Sequence, residues 1–415
     1  MGTLQTISLI GSTQTLAWAS SYYLPAVLAA PVAKELETGE PFFFLCFSAA
    51  LLIAALVGPR AGRWIDQRGG RVVLPITNLM FAAGLTMLAL AQGPIGLMLA
   101  WLVLGVAMGY GLYDAAFAAL VFLYGLKARG AITGITLIAG FASTVGWPLT
   151  TIMLGAWGWR GAILGWAALH LSLGLLLNRM IPAHPPAQAF SDATGNQELS
   201  DPSFVEAKHS PPLSPDAKGS ADPKAAALDR TQVLPSNAIA LLVFAFAATG
   251  FVSSAMAAHL PSLLQAAGAS LALAVTAASL VGPAQVGARL FQFGALGRVH
   301  PLWSAWIATL THPLAVLMLL AGGPALAVAF TLCHGLGTGT HTIARGTLPL
   351  ALFGSAGYGE RVGKLLTLSR FTQALAPWLF GLAITQWQTS ALWIGFALSL
   401  AAFLSLMPFR TVIRQ

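Results

Sequence analysis

The sequence predicts an all-α membrane protein with 12 transmembrane helices, arranged as two pseudo-symmetric six-helix bundles. Three observations lead there: an extreme shortage of charge, a series of apolar runs of spanning length, and an internal repeat. Of 415 residues, 57% are hydrophobic and only 8% charged. Soluble domains carry about 25% charged residues, so a soluble fold this poor in charge lacks the polar groups to cover its surface. Lipid as the solvent removes that requirement, provided that helices satisfy their own backbone groups. One pass needs roughly 20 apolar residues, so twelve use about 240 and leave room for short loops and one long connection.

Apolar runs place the spans near 6–29, 41–58, 72–91, 96–124, 131–156, 160–181, 237–264, 270–291, 301–321, 323–351, 364–384 and 389–408. Turn signals such as Gln92-Gly93-Pro94 and Ala321-Gly322-Gly323-Pro324 separate neighbours. Residues 182–236 differ in kind. They are rich in Pro, Ser, Asp and Ala with few large apolar side chains, so burial there does not offset the entropy of ordering. The expected organisation is an N-terminal bundle over 1–181, a flexible linker over 182–236 and a C-terminal bundle over 237–415.

The formal charge of +8 does not point to nucleic acid, because the basic residues punctuate the ends of apolar runs instead of forming one soluble face. Arg60, Arg63, Arg68, Arg71, Lys127, Arg129, Arg179, Arg298, Arg361, Lys364, Arg410 and Arg414 fall on one side, and only Lys34 and Arg160 on the other. By the positive-inside rule both termini and the linker are cytoplasmic, which suits a multi-pass protein of a bacterial inner membrane. Trp157 and Trp159 beside Arg160 fit the outer interfacial belt. The N-terminus lacks a basic leader and cleavage site and reads as the start of the first span. Cys46 and Cys333 have no metal-ligand or disulfide spacing; no metal and no cofactor is expected.

The two halves match in order. Leu24-Pro25 pairs with Leu260-Pro261, Leu56-Val57-Gly58-Pro59 with Leu280-Val281-Gly282-Pro283, and Gly70-Arg71-Val72 with Gly297-Arg298-Val299. Gly109-Tyr110-Gly111 then pairs with Gly337-Thr338-Gly339, and Pro148 with Pro377. After the first pair the offsets stay between 224 and 229 residues. Parallel six-helix repeats about an axis along the membrane normal are a transporter architecture. The segment joining spans two and three carries Gly62, Asp66, Arg68, Gly69 and Arg71. It resembles the signature loop of the major facilitator superfamily, roughly G-x-x-x-D-R-x-G-R-R, although Gln67 and Gly70 stand where basic residues are usual. Gly158-Trp159-Arg160 also looks like that superfamily. The resemblance implies that this loop helps lock one conformation; the plainer reading is that its charges only fix topology. Asp66 is expected to cap a helix start there, with glycines making a tight turn.

Ionisable groups inside a bilayer are costly and mark function. Asp114 is the one carboxylate within the proposed spans, roughly eleven residues or about 16 Å from the end of span four and so near mid-depth. Arg345 and Arg370 lie in spans ten and eleven, and His341 sits one turn before Arg345. The repeat aligns Tyr113 with His341. The functional reading is a central cavity with a carboxylate on one wall and guanidinium groups on the other. Asp114 would exchange a proton, while Arg345, Arg370, His341, Tyr113 and Gln285 would bind solute. The competing reading is a purely structural ion pair between Asp114 and an Arg. Arg289 reads as snorkelling to the surface, and His170 and His312 as hydrogen-bonding groups within a bundle. Tyr22, Tyr23 and His259 suit an outer vestibule or an interfacial belt equally well. The glycines at 335, 337 and 339 suit close helix packing, since no strand precedes them to make a nucleotide loop.

The expected activity is secondary active transport of a small organic anion by alternating access with proton coupling, in a monomer. The charge pattern is similar to the oxalate/formate and monocarboxylate branch of the superfamily. A proton-driven exporter of drug-like or metabolite compounds is the alternative on the same fold, and a non-transporting membrane sensor the alternative of another class. The sequence carries no nucleophile set, metal cluster or phosphate loop, so no enzyme is expected.

Overall fold

The computed structural model describes residues 2–125, 128–183, 237–294, 300–353 and 358–410. All but the first two residues of the expected linker, and Lys127, Arg298 and Arg414, lie outside the described residues. No strand occurs among the described residues. Among the described residues, nine helical stretches are long and apolar enough to cross a membrane. Three of these, Gly130–Arg179, Pro301–Phe353 and Ser369–Phe409, run for 50, 53 and 41 residues, and each contains a turn. The first turns at Gly158, whose φ of +67° favours a residue without a Cβ. The others turn at the short 3-10 segments Gly323–Leu326 and Gln388–Ala391. Twelve passes result, and an even number brings both chain ends to one face, here termed the terminal face.

The helices are apolar around most of their circumference, as expected of elements that meet protein on one side and lipid on the other. Proline at the first helical position starts Pro25–Glu35, Pro94–Gly111 and Pro301–Gly322, where a missing N–H costs nothing. Several passes are interrupted near their middles. The first is split into Thr3–Ser20 and Pro25–Glu35, and the fourth into Pro94–Gly111 and Tyr113–Tyr124. The eighth is split into Leu271–Ser279 and Val281–Gly294. The matching Leu260-Pro261 of the seventh pass lies inside an unbroken helix, Ala238–Ala266, so the repeat is not conformationally exact.

Glycines set the closest approaches. A Cβ on Gly105 would lie 2.5 Å from the carbonyl oxygen of Ala50, and one on Gly339 2.6 Å from that of Gln285. The second and fourth passes, and the eighth and tenth, therefore pack backbone to backbone. His170 is buried between the first and third passes, with Nε2 2.7 Å from Ser20 Oγ and Nδ1 2.9 Å from Asn78 Oδ1.

The signature segment differs from the expected loop. The second pass continues as helix from Glu40 to Arg68, so Gly62, Asp66 and Arg68 lie on its last turns. Gly69 alone makes the turn, at φ +76°, before Gly70–Ala89 begins. Asp66 is exposed and does not cap the third pass, whose N-cap is Gly69 with no side-chain hydrogen bond. The hydropathic run ended near residue 58, but exposed polar side chains let a helix continue beyond it. Arg71 follows on the first turn of the third pass, exposed.

Candidate functional site

Breaks in the helices and prolines expose backbone groups near the centre, and side chains use them. At Leu112 the backbone is extended (φ −87°, ψ −166°), which frees the carbonyl of Gly111. Gln14 of the first pass donates to it at 2.7 Å. The helix restarts at Tyr113, which puts Asp114 in a first turn, where the helix dipole favours an anion. In the eleventh pass, Pro377 has no N–H to offer the carbonyl of Gln373, and Ser254 Oγ donates to that carbonyl at 2.8 Å instead. His259 Nε2 donates to Pro377 O at 2.8 Å, and the N–H of Trp378 to Ser48 Oγ at 3.2 Å.

The Trp378–Ser48 bond joins the two halves. Phe44 and His259 pack with ring centroids 4.0 Å apart and planes tilted by 49°, and Tyr22 donates to Ser254 at 3.1 Å; both contacts also cross between the halves. Together they close the centre toward the face opposite the chain ends. On that same side, Glu35 pairs with Arg160 and accepts from Trp159 Nε1, while Arg160 lies 4.1 Å over the Trp159 ring. Trp157 is exposed beside them.

Beneath this closure lie two adjoining chambers of about 280 and 210 Å³. Trp18, Tyr22, Tyr113, Arg345 and Gln373 line both. Asp114 and Arg370 line the first, and Gln285 and Arg289 the second. Arg370 Nη2 lies 3.3 Å from Asp114 Oδ2, and the two side chains are 45% and 64% exposed, respectively. They face open space in the bundle, not a dry contact. The N-terminal half supplies an aromatic wall: Trp18 sits 5.0 Å from Tyr22 and 4.9 Å from Tyr113, which stacks on Phe117 at 5.3 Å. The C-terminal half supplies three guanidinium groups.

Of the expected binding residues, Arg345, Arg370, Tyr113, Gln285 and Asp114 line this space. His341 does not. It is buried against Thr249, 3.2 Å from Oγ1, and lines a separate small hollow in the C-terminal half. Arg289 corrects the snorkelling expectation. It is 7% exposed, and Nη1 donates at 2.6 Å to the carbonyl of Thr136 on the other half. Sequence reasoning missed Trp18, Ser254 and Gln373. The one signal for Gln373 is its place four residues before Pro377, where a helix carbonyl is freed.

The Major Facilitator Superfamily model matches residues 10–340. No curated protein sequence matches significantly. Solved structures match over nearly the whole chain. The nucleoside transporter NupG aligns with a TM-score of 0.70 at 16% identity, covering 99% of this chain and 100% of its own. The inward-open xylose transporter XylE from E. coli aligns at 0.69 and 14%, covering 99% and 96%. A bacterial homologue of the human lysosomal transporter Spinster, inward-facing and occupied, aligns at 0.65 and 13%, covering 97% and 93%. A family match over most of the chain, on twelve passes in two halves around a central cavity, places this protein in the Major Facilitator Superfamily, as a secondary transporter and not an enzyme.

Proposed function

We propose that the protein carries a small organic anion across the membrane by alternating access, coupled to protons through Asp114. The observation that carries the reading is the polarity of the cavity: Arg289, Arg345 and Arg370 line it against the single carboxylate of Asp114. An excess of guanidinium charge is stabilised by a carboxylate or similar oxyanion, which Arg holds bidentately. The aromatic wall opposite suits a flat or apolar remainder, so one solute would touch both halves at once. Its anionic end would compete with Asp114 for Arg370. Breaking that pair on binding, and protonating the released carboxylate, would link solute and proton to the same rearrangement.

The bodies that rock would be residues 1–181 and 237–415, with both termini cytoplasmic in a bacterial inner membrane, and the carrier monomeric. Contacts concentrated on the face away from the termini support a state open toward the cytoplasm. Ionic contacts of Asp66 with its neighbouring arginines would form and break as the second and third passes shift, which is the gating role for Gly62, Asp66, Arg68, Gly69 and Arg71. Flux into proteoliposomes tests the proposal, with benzoate, acetate, oxalate, xylose and uridine as candidates, each with and without a pH gradient. Gradient-stimulated flux of a carboxylate supports it. Flux of only the neutral solutes overturns the anion reading and leaves an exporter or uptake carrier of another substrate.

A further inference from the structure

A second polar cluster lies within the C-terminal half, apart from the Asp114–Arg370 pair. His312 on the ninth pass and His334 on the tenth are 3% and 5% exposed, and their Nδ1 atoms lie 3.1 Å apart. Two neutral imidazoles share such a contact only if one Nδ1 carries hydrogen and the other offers a lone pair. The neighbouring hydroxyl decides which. Thr338 donates its hydrogen to the carbonyl of His334 at 3.0 Å, so its oxygen accepts from His334 Nε2 at 3.4 Å. His334 is therefore the Nε2–H tautomer and its Nδ1 accepts; His312 is the Nδ1–H tautomer. That leaves a bare lone pair on His312 Nε2, which is buried without a partner.

A hollow of about 20 Å³ adjoins these rings. A water needs roughly 10–15 Å³ and a few polar partners, so one fits. His334 and Thr338 line both this hollow and the central chamber.

We propose that the hollow holds a water and forms a proton site separate from Asp114, in which His312 accepts a proton and the His312–His334 pair passes one to the central chamber. The incoming proton binds the lone pair of His312 Nε2. The His312 Nδ1–H bond breaks as its proton moves to His334 Nδ1, and the His334 Nε2–H proton leaves past Thr338 to chamber water. Each ring gains one N–H and loses one, no electron pair changes owner, and both rings end as the opposite tautomer. Exchange through the trapped water resets them. The surroundings oppose a lasting positive charge. The tenth pass adds His341 and Arg345, and Arg289 faces the chamber from the eighth. Cys333 is occupied by Thr311 O at 3.2 Å. From the seventh, ninth and twelfth passes the hollow receives only hydroxyl, methyl and backbone groups besides His312 itself. A proton is thus handed on, not stored.

The test is solid-state nitrogen NMR of the full chain, histidine-labelled, in lipid vesicles across a range of pH, with the proton as the only ligand. The expected result is opposite neutral tautomers for His312 and His334 at alkaline pH and, on acidification, averaging of the ring nitrogen signals as proton passage exchanges the two tautomeric arrangements. His312→Gln should shift the His334 ring signals and abolish the acid-dependent change. A thermal melt checks that this variant folds; if it does not, the tautomers of the unaltered protein decide alone. Identical tautomers on the two rings, or rings indifferent to pH throughout, overturn the proposal.

Discussion

Replacing Asp114 with Asn removes one charge and keeps the shape, and it separates a structural ion pair from a proton carrier. Both partners of the Asp114–Arg370 pair are well over one-third exposed to the cavity. Ion pairs in that regime are worth about 0.2–1 kcal/mol. If the pair only ties the halves together, its loss shifts the balance of conformations by roughly 1.4- to 5-fold, since about 1.36 kcal/mol is tenfold. Flux would change by no more than that, and a pH gradient would still drive accumulation. If Asp114 carries the proton, accumulation is abolished whatever the pair is worth, while exchange of labelled for unlabelled solute persists because it needs no net proton movement. The assay is uptake by proteoliposomes with an imposed pH gradient, beside counterflow without one. Wild-type, gradient-driven accumulation by Asp114→Asn would refute the coupling role.

Other outcomes follow from single contacts. Gly105→Leu drives a side chain into the Ala50 backbone; overpacking of this kind costs about 1–3 kcal/mol, so the melting temperature in detergent should fall clearly while Gly2→Leu, which meets nothing, leaves it unchanged. Pro377→Ala gives the Gln373 carbonyl its own helical donor back. Ser254 then loses its acceptor, the closure loosens, and maleimide labelling of a Ser48→Cys reporter should rise several-fold; unchanged labelling would show that proline is not what frees these groups. Trp18→Ala should weaken benzoate binding by about 0.5–1.5 kcal/mol, the worth of one aromatic pair. It should leave acetate unaffected, and equal losses for both would remove the aromatic wall from the site.

Span number and half-to-half similarity were legible because twelve passes in lipid demand long apolar runs, and because glycines and prolines at matching places punctuate the repeat. The helix breaks were not. Gly111-Leu112-Tyr113 is apolar and helix-compatible throughout. The group that takes up the Gly111 carbonyl at the break is Gln14, far away in sequence. Along its own helix Arg289 lies close enough to the span end for its side chain to reach the surface. The carbonyl that holds it, on Thr136, belongs to the other half. His341 lies one turn from Arg345, yet four residues leave an offset of about 40° around an α-helix. The seam between passes falls within that angle, so Arg345 faces the chambers and His341 the hollow behind them. Helix periodicity fixes the angle between two side chains; only packing decides where the seam runs.

Arg345 and Arg370 present their charge to a shared, water-accessible space. Calorimetric titration of benzoate into the purified protein, unaltered and as the Arg345→Gln, Arg370→Gln double variant, measures that directly. A hydrogen bond to a charged group is worth about 1.5–3 kcal/mol, so losing two should weaken saturable binding by at least about 100-fold. A folded double variant that binds benzoate as tightly as the unaltered chain would contradict the account.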